Sequence, residues 1–198
     1  MSVKEQKKSL RKKMMETIKA LDPEYKVRAD KAILSNLLSL ETYASARTVF
    51  CFVGSEHEID TAPFLRRVLA DGKTLSVPLC VGKGIMQARR IISLEELNKG
   101  FYGILEPPSD APLTQPEQID LAVIPCVSCS HDGARLGHGG GYYDIFFSKH
   151  LSIPTVMICR EKVICEDIPE EPHDLTFPVV VTENGIFTKY AFRDATTL

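Results

Sequence analysis

The run Thr48-Val49-Phe50-Cys51-Phe52-Val53 admits few folds. It is apolar without alternation, so a strand formed there has to be covered on both faces. Residues 119–124 (IDLAVI) read the same way, and residues 74–79 and 153–159 are further strand candidates. Helical segments separate them: one containing residues 63–69, capped by Asp60 or Thr61, and one expected at about 140–150. Strands alternating with helices from about residue 48 to 160 imply a mostly parallel sheet. The expected fold class is therefore α/β: a three-layer, open, mostly parallel sheet with helices on both faces. At 198 residues the chain is long enough for one sizeable core. A single domain is expected over residues 1–190, with 191–198 as a frayed tail.

Outside that unit the periodicity changes. Residues 4–21 predict a helix with Val3, Leu10, Met14, Ile18 and Leu21 on one face. Asp22-Pro23 predicts the start of a second helix running to about Leu40, with Tyr25, Val27, Ile33, Leu34, Leu37 and Leu38 as its apolar set. Residues 85–91 alternate weakly, as an antiparallel strand would. Residues 107–116 are rich in proline and predict a loop that folds over a site. A terminal hairpin is expected around Glu183-Asn184-Gly185.

The net charge of −2 gives no overall field for nucleic acid or an anionic membrane. No apolar run approaches the roughly 18 residues of a membrane span. The N-terminus is basic but lacks the apolar region of a signal peptide, and Glu5 and Glu16 argue against a mitochondrial presequence. A soluble, cytoplasmic protein is expected, monomeric, without nucleic-acid or membrane partners. Its six cysteines read as reduced, buried thiols, four of them in or beside apolar runs such as 163–165. Cys126-Val127-Ser128-Cys129 is a lone C-x-x-C with no second pair to complete a structural zinc site.

The stretch from Gly133 to Asp144 carries the chemistry. It holds Arg135, four glycines within the five positions 137–141, Tyr142, Tyr143 and Asp144. Closely spaced glycines let successive N–H groups cradle an anion, most readily where a helix begins. Arg135 offers a permanent forked charge for phosphate oxygens. Asp144 offers the hard oxygen that Mg²⁺ takes beside phosphates. No Gly-Lys-Ser/Thr closes the stretch as in a P-loop, and Tyr142 stands where a dinucleotide fingerprint needs its last glycine. Lys4, Lys7, Lys8 and Arg11 share one side of the first helix, either as a solvated face or as an arm reaching a polyanion.

Residues 132–144 resemble the signature of the 5-formyltetrahydrofolate cyclo-ligase family, also called methenyltetrahydrofolate synthetases. Lys7-Lys8-Ser9-Leu10-Arg11, Glu58-Ile59-Asp60-Thr61, Gly103-Ile104-Leu105-Glu106-Pro107 and Pro172-His173-Asp174 with Thr182-Glu183 resemble further family segments, in the family's order. The resemblance implies a ligase that uses ATP as co-substrate and Mg²⁺ as cofactor to close 5-formyltetrahydrofolate to 5,10-methenyltetrahydrofolate, releasing ADP and phosphate. It implies that ATP meets Lys7, Lys8, Arg11, Arg135, Leu136, Gly137, His138, Gly139, Gly140, Gly141, Tyr142 and Tyr143. Arg135 and Tyr143 are the implied catalytic residues. Val53, Glu58 and Tyr142 are implied at the folate, and Asp144 and Asp174 at the metal. The sequence departs from the family pattern at Cys126, Cys129, His131 and residues 177–178. Two other readings are another ATP-dependent ligase or kinase on the same scaffold, and a non-catalytic nucleotide-binding module.

Overall fold

The computed structural model describes residues 1–100 and 103–189, so the tail expected at 191–198 lies outside the described residues. Helix α1 (Val3–Ala20) begins at a reciprocal cap, in which Ser2 Oγ accepts from Glu5 N–H and the Glu5 carboxylate accepts from Ser2 N–H. It buries Met14 and Ile18, two of its predicted apolar positions. Helix α2 (Pro23–Leu38) starts on the Asp22 carboxylate, which accepts from Tyr25 N–H at 2.8 Å. It ends two residues before the expected Leu40, because Leu40 is extended and starts a separate short helix, α3 (Glu41–Ser45). Val27 does not join the apolar face: it is 70% exposed although, seven residues before the buried Leu34, it lies on the same side of the helix, because it precedes Ala29, the first buried residue of α2.

The strands follow in order: β1 (Thr48–Cys51), β2 (Thr74–Gly82), β3 (Ile85–Ile91), β4 (Asn98–Lys99), β5 (Leu105–Glu106), β6 (Leu121–Ile124), β7 (Ser128–Cys129), β8 (Arg135–Leu136), β9 (Thr155–Ile158), β10 (Val179–Thr182) and β11 (Gly185–Thr188). Helices α4 (Ala62–Ala70) and α5 (Tyr142–Ser148) are interleaved with them. Seven strands form one sheet in the order β11-β10-β9-β6-β1-β2-β3. Its five central strands run parallel, and β3 and β11 are antiparallel edges. The continuous apolar runs are explained by the two cores they serve. Val49, Cys51, Leu121, Val123, Val156 and Ile158 face a core with α2 and α4 residues. Phe50, Ala122, Ile124 and Met157 face the other, with α1 and α5 residues. Each strand thus alternates between two apolar sides, as a three-layer fold requires.

Three local expectations change. Residues 107–116 do not swing over a site. Arg90 N–H donates to Pro112 O, and Thr114 N–H donates to Ala88 O, so the segment lies along β3 and covers that sheet edge. The apolar run 163–165, strand-like in sequence, forms no strand; a single tight turn spans Glu161–Val163 instead. Helix α5 is shorter than the predicted 140–150, because Gly141 at its start is left-handed (φ +70°) and Lys149 closes it. No described helix is long and apolar enough to cross a membrane.

Gly133 is where the backbone depends most on the lack of a side chain. Its φ is +91°, and a Cβ there would stand 1.9 Å from Phe177 O. Gly133→Ala is expected to cost at least about 2 kcal/mol in urea denaturation, from strain and a backbone shift together. A cost below about 0.5 kcal/mol would show that the Phe177 strand-entry segment yields freely.

Candidate functional site

The parallel strands end at one edge, where open α/β sheets gather their ligand-binding loops. Three loops converge there: residues 54–60 after β1, residues 125–141 around β7 and β8, and the Arg160 turn after β9. Helix α1 packs onto this edge from outside, which brings Lys7 and Arg11 to it.

The glycine stretch is held from both sides. Beneath it, Arg135 is buried, with Nε donating to Pro125 O at 2.8 Å and Nη1 to Asp144 Oδ2 at 3.2 Å. Its guanidinium fills the space a Gly137 Cβ would need, 2.8 Å from Nη1, and lies 5.2 Å from the centroid of the Tyr143 ring. Above it, Arg11 Nε donates to Gly137 O at 2.7 Å and its guanidinium lies beside Gly139. The N–H groups of residues 138–141 have no acceptor among the described residues, and residues 138–140 are exposed. Unpaired, solvent-facing donors beside two guanidiniums make an anion cradle. Because α5 has only seven residues, its dipole adds little, and the cradle rests on the loop and the arginines.

The loop after β1 is fixed with equal economy. Of the two cap candidates, Thr61 occupies the N-cap position, but its hydroxyl makes no cap bond and bridges the loop: it accepts from Gly54 N–H and donates to Phe52 O, both at 2.9 Å. Asp60, one residue before the N-cap, accepts from Ala62 N–H in the first turn of α4. Arg160 carries the other side. Its guanidinium pairs with both oxygens of Asp30, at 2.6 and 2.8 Å, and donates to Glu58 O at 2.8 Å. Asp30 also accepts from Asp60 N–H. Arg160 and Asp30 are 5% and 8% exposed, so this is a buried, bidentate ion pair anchoring the loop to α2.

Glu58 is the carboxylate this frame presents. It accepts from Ser55 N–H at 2.9 Å and Ser55 Oγ at 2.6 Å, while its other oxygen meets His138 Nε2 at 3.2 Å. Burial alone would raise its pKa; hydrogen bonds from His138 and Ser55 outweigh that and hold it below the ordinary carboxylate range. The folded-state pKa is thus the lower one. The ionised side chain adds stability above the ordinary carboxylate pKa, and that contribution is lost as pH falls through the depressed value. Urea denaturation of wild type and Glu58→Gln should show a stability gap at neutral pH that closes on acidification. A gap that does not change with pH would mean the ionised form is not favoured by folding.

The remaining candidates fall into two groups. Val53 is buried two residues past β1, directly before the loop. Tyr142 and Tyr143 both pack against the α1–α5 core, and Tyr143 also reaches the opposite one. Burial and the nearby Glu58 charge push the Tyr143 hydroxyl well up, so it stays protonated. Leu136 is buried on β8 beneath the loop, and Lys8 is exposed. The two proposed metal ligands have different partners. Asp144 faces Arg135 through one oxygen, and Asp174 is paired with Lys7. Glu171, His173 and Asp174 offer donor atoms within 4.8 Å of one another. A carboxylate has about four lone-pair sites, so one cation contact leaves oxygen for a hard metal ion. The donor chemistry therefore fits Mg²⁺ at either aspartate.

Three features were not foreseen from the sequence: the Arg160–Asp30 anchor, the His138–Glu58 contact and the seat of Arg11 on Gly137 O. Arg160 left one usable signal, a charge directly at the carboxyl end of a buried strand. Asp30 left none, since an acid on an amphipathic helix ordinarily faces water.

Comparison with known proteins adds an independent result. A family model described as the 5-formyltetrahydrofolate cyclo-ligase family matches residues 3–183. The mitochondrial 5-formyltetrahydrofolate cyclo-ligase of Arabidopsis thaliana is 30% identical over 93% of this chain and 76% of its own length. The 5-formyltetrahydrofolate cyclo-ligase of Escherichia coli K12 is 26% identical over 85% of this chain and 96% of its own. Among solved structures, the solution structure of Aquifex aeolicus 5,10-methenyltetrahydrofolate synthetase superposes with a TM-score of 0.83 at 30% identity, covering 97% of this chain and 95% of that one.

Proposed function

The chain belongs to the 5-formyltetrahydrofolate cyclo-ligase family and is a ligase, and we propose that it closes 5-formyltetrahydrofolate to 5,10-methenyltetrahydrofolate at the expense of ATP. The observation that carries this reading is the His138–Glu58 contact. It joins the anion cradle to the loop after β1, so a phosphate donor and a folate placed on the two loops would meet. On this reading the γ-phosphoryl group passes to the formyl oxygen on N5, giving ADP and an imidate phosphate. N10 then attacks the formyl carbon and loses its proton, the C–O bond breaks and phosphate leaves.

Such a reaction asks the protein for position and charge rather than for a nucleophile. The N–H groups of residues 138–141 take phosphate oxygens, and Arg11 lies beside them at the surface of the loop. Arg135 acts from below: its charge reaches the cradle while its own hydrogen bonds hold the loop in shape. Lys7 is one helical turn before Arg11 and extends the positive side of the site. Glu58 accepts from the N–H edge of the pterin, with Val53 and Tyr142 as its apolar neighbours. Asp144 and Asp174 would hold Mg²⁺, which when bound neutralises phosphate charge. Tyr143, half-buried and protonated, positions Arg135 through its ring. We read the active form as a monomer acting on small molecules.

The direct test mixes the protein with 5-formyltetrahydrofolate, ATP and Mg²⁺ and follows the near-ultraviolet absorbance of the methenyl product. Absence of product while ATP still binds would favour another ligase or a nucleotide-binding module. Glu58→Ala should raise the folate KM by at least about tenfold, the loss of one or two charge-assisted hydrogen bonds, with the ATP KM nearly unchanged. An equal rise in both constants would show that the loop is only structural.

A further inference from the structure

The lone C-x-x-C gains a third member in the fold. Cys126 and Cys129 flank the turn before the glycine stretch, and Cys159 follows β9 on the neighbouring strand. Their three sulfurs lie within 4.8 Å of one another, and the folate cyclisation has no use for them. We propose that Cys126, Cys129 and Cys159 form a binding site for a soft, thiophilic metal ion of the Cu⁺ and Zn²⁺ class.

Geometry supports it first. Three thiolates bound in a plane at about 2.3 Å from one ion stand about 4 Å apart, so the sulfurs need to close by less than about 1 Å. The site is also held in place. Cys129 lies on β7, paired with Arg135 on β8, and its carbonyl accepts from Cys165 N–H at 2.9 Å. Cys159 N–H donates to Val181 O at 3.1 Å, extending the β9 ladder. With Cys129 on β7, Cys159 directly after β9 and Cys126 two residues past β6, a metal has little to organise.

Access and charge support it next. Cys129 and Cys159 are buried, but Cys126 is partly exposed. Cys126 and Cys159 line a small pocket that also borders His57, Glu58 and Arg160. An ion can therefore enter from the side of the candidate active site. Binding sends the three thiol protons to solvent and leaves net negative charge on the filled site. Arg135 stands near enough to stabilise charge on Cys126, and Arg160 directly follows Cys159. The donor set is all sulfur, which selects soft ions and disfavours Mg²⁺. Thiols that merely pack would need neither mutual contact nor an opening at Cys126.

The test uses the full chain, reduced and handled without oxygen. Cu⁺ is titrated against bicinchoninate and Zn²⁺ against a chromophoric chelator, with Mg²⁺ as control. The expected result is one equivalent of soft ion per chain, a raised thermal midpoint on loading, and no competition from Mg²⁺. Uptake of Cu⁺ alone would assign a three-coordinate site; uptake of both would assign a site that recruits a fourth donor from the pocket. Cys126→Ser should weaken binding at least about tenfold, and Cys159→Ser likewise, while Cys80→Ser leaves it unchanged. If Cys159→Ser fails to fold, the partly exposed Cys126 decides. The proposal is overturned if wild type binds neither ion more tightly than Cys126→Ser, or if Cys80→Ser loses as much. These readouts do not depend on turnover, so they stand apart from the folate assignment.

Discussion

Arg135→Ala is expected to lower kcat for methenyl formation by about 10³, or about 4 kcal/mol of transition-state stabilisation. Two losses combine. The cradle loses the positive charge beneath Gly137, and the loop loses its floor, because Arg135 holds Pro125 O and Asp144 together. The alanine variant leaves a buried carbonyl unpaired and Asp144 without its cation, so stability should fall as well, by about 3 kcal/mol. Arg135→Lys separates the effects. A lysine restores the charge but cannot make the forked contact, so it should recover part of kcat and little of the loop geometry. Steady-state kinetics, ATP affinity and urea denaturation on both variants read this out. A silent Arg135→Ala would sink the anion-cradle reading. A loss of stability with ATP affinity and kcat intact would reduce Arg135 to a structural residue.

Asp30→Ala is the second large effect. It leaves Arg160 buried and uncompensated, and removing one partner of a buried pair costs about 3–5 kcal/mol. It also takes the acceptor from Asp60 N–H, so the 54–60 loop loses its tie to α2. The folate KM should rise even though Asp30 lies behind the loop and not on the ligand. A double variant, Asp30→Ala with Arg160→Met, should regain much of the stability by removing the stranded charge. It should not regain the folate KM, because Glu58 O then also loses the Arg160 donor. A cost below about 1 kcal/mol for Asp30→Ala would place the pair in a solvated setting.

Both predictions concern residues that the sequence presents unequally. Arg135 stands out because its neighbours are chemically unusual: glycines, two tyrosines and an aspartate within twelve positions. Its location does not. A free arginine in a loop is expected to reach outward, yet Arg135 lies under the backbone with a 4% exposed side chain. Asp30 looks like an ordinary surface charge and Arg160 offers only its place at the end of a buried strand; the crossing of α2 with the end of β9 makes them partners. His138 shows the same limit. It reads as an exposed loop histidine or a phosphate contact, and in the fold it meets Glu58 eighty positions away. Among the structural expectations, the mistaken ones were helix ends and irregular segments. The Val27 assignment failed because sharing the helical side of Leu34 does not ensure that the fold covers that side at every turn.

Some conclusions needed no coordinates. Continuous apolar runs demand two covered faces, which leaves a parallel sheet between helix layers. A dense glycine run with an arginine and an aspartate demands a backbone free of side chains, one that other groups can approach closely. These are local rules, set by periodicity and by the absence of Cβ, and a chain obeys them wherever it goes. What the tertiary structure alone decided is which distant groups meet: His138 with Glu58, Arg160 with Asp30, Lys7 with Asp174, and Cys159 with the C-x-x-C pair. The reason is physical. Such pairings depend on strand order and on how helices cross the sheet, and those follow from packing the whole core at once rather than from any one segment's pattern.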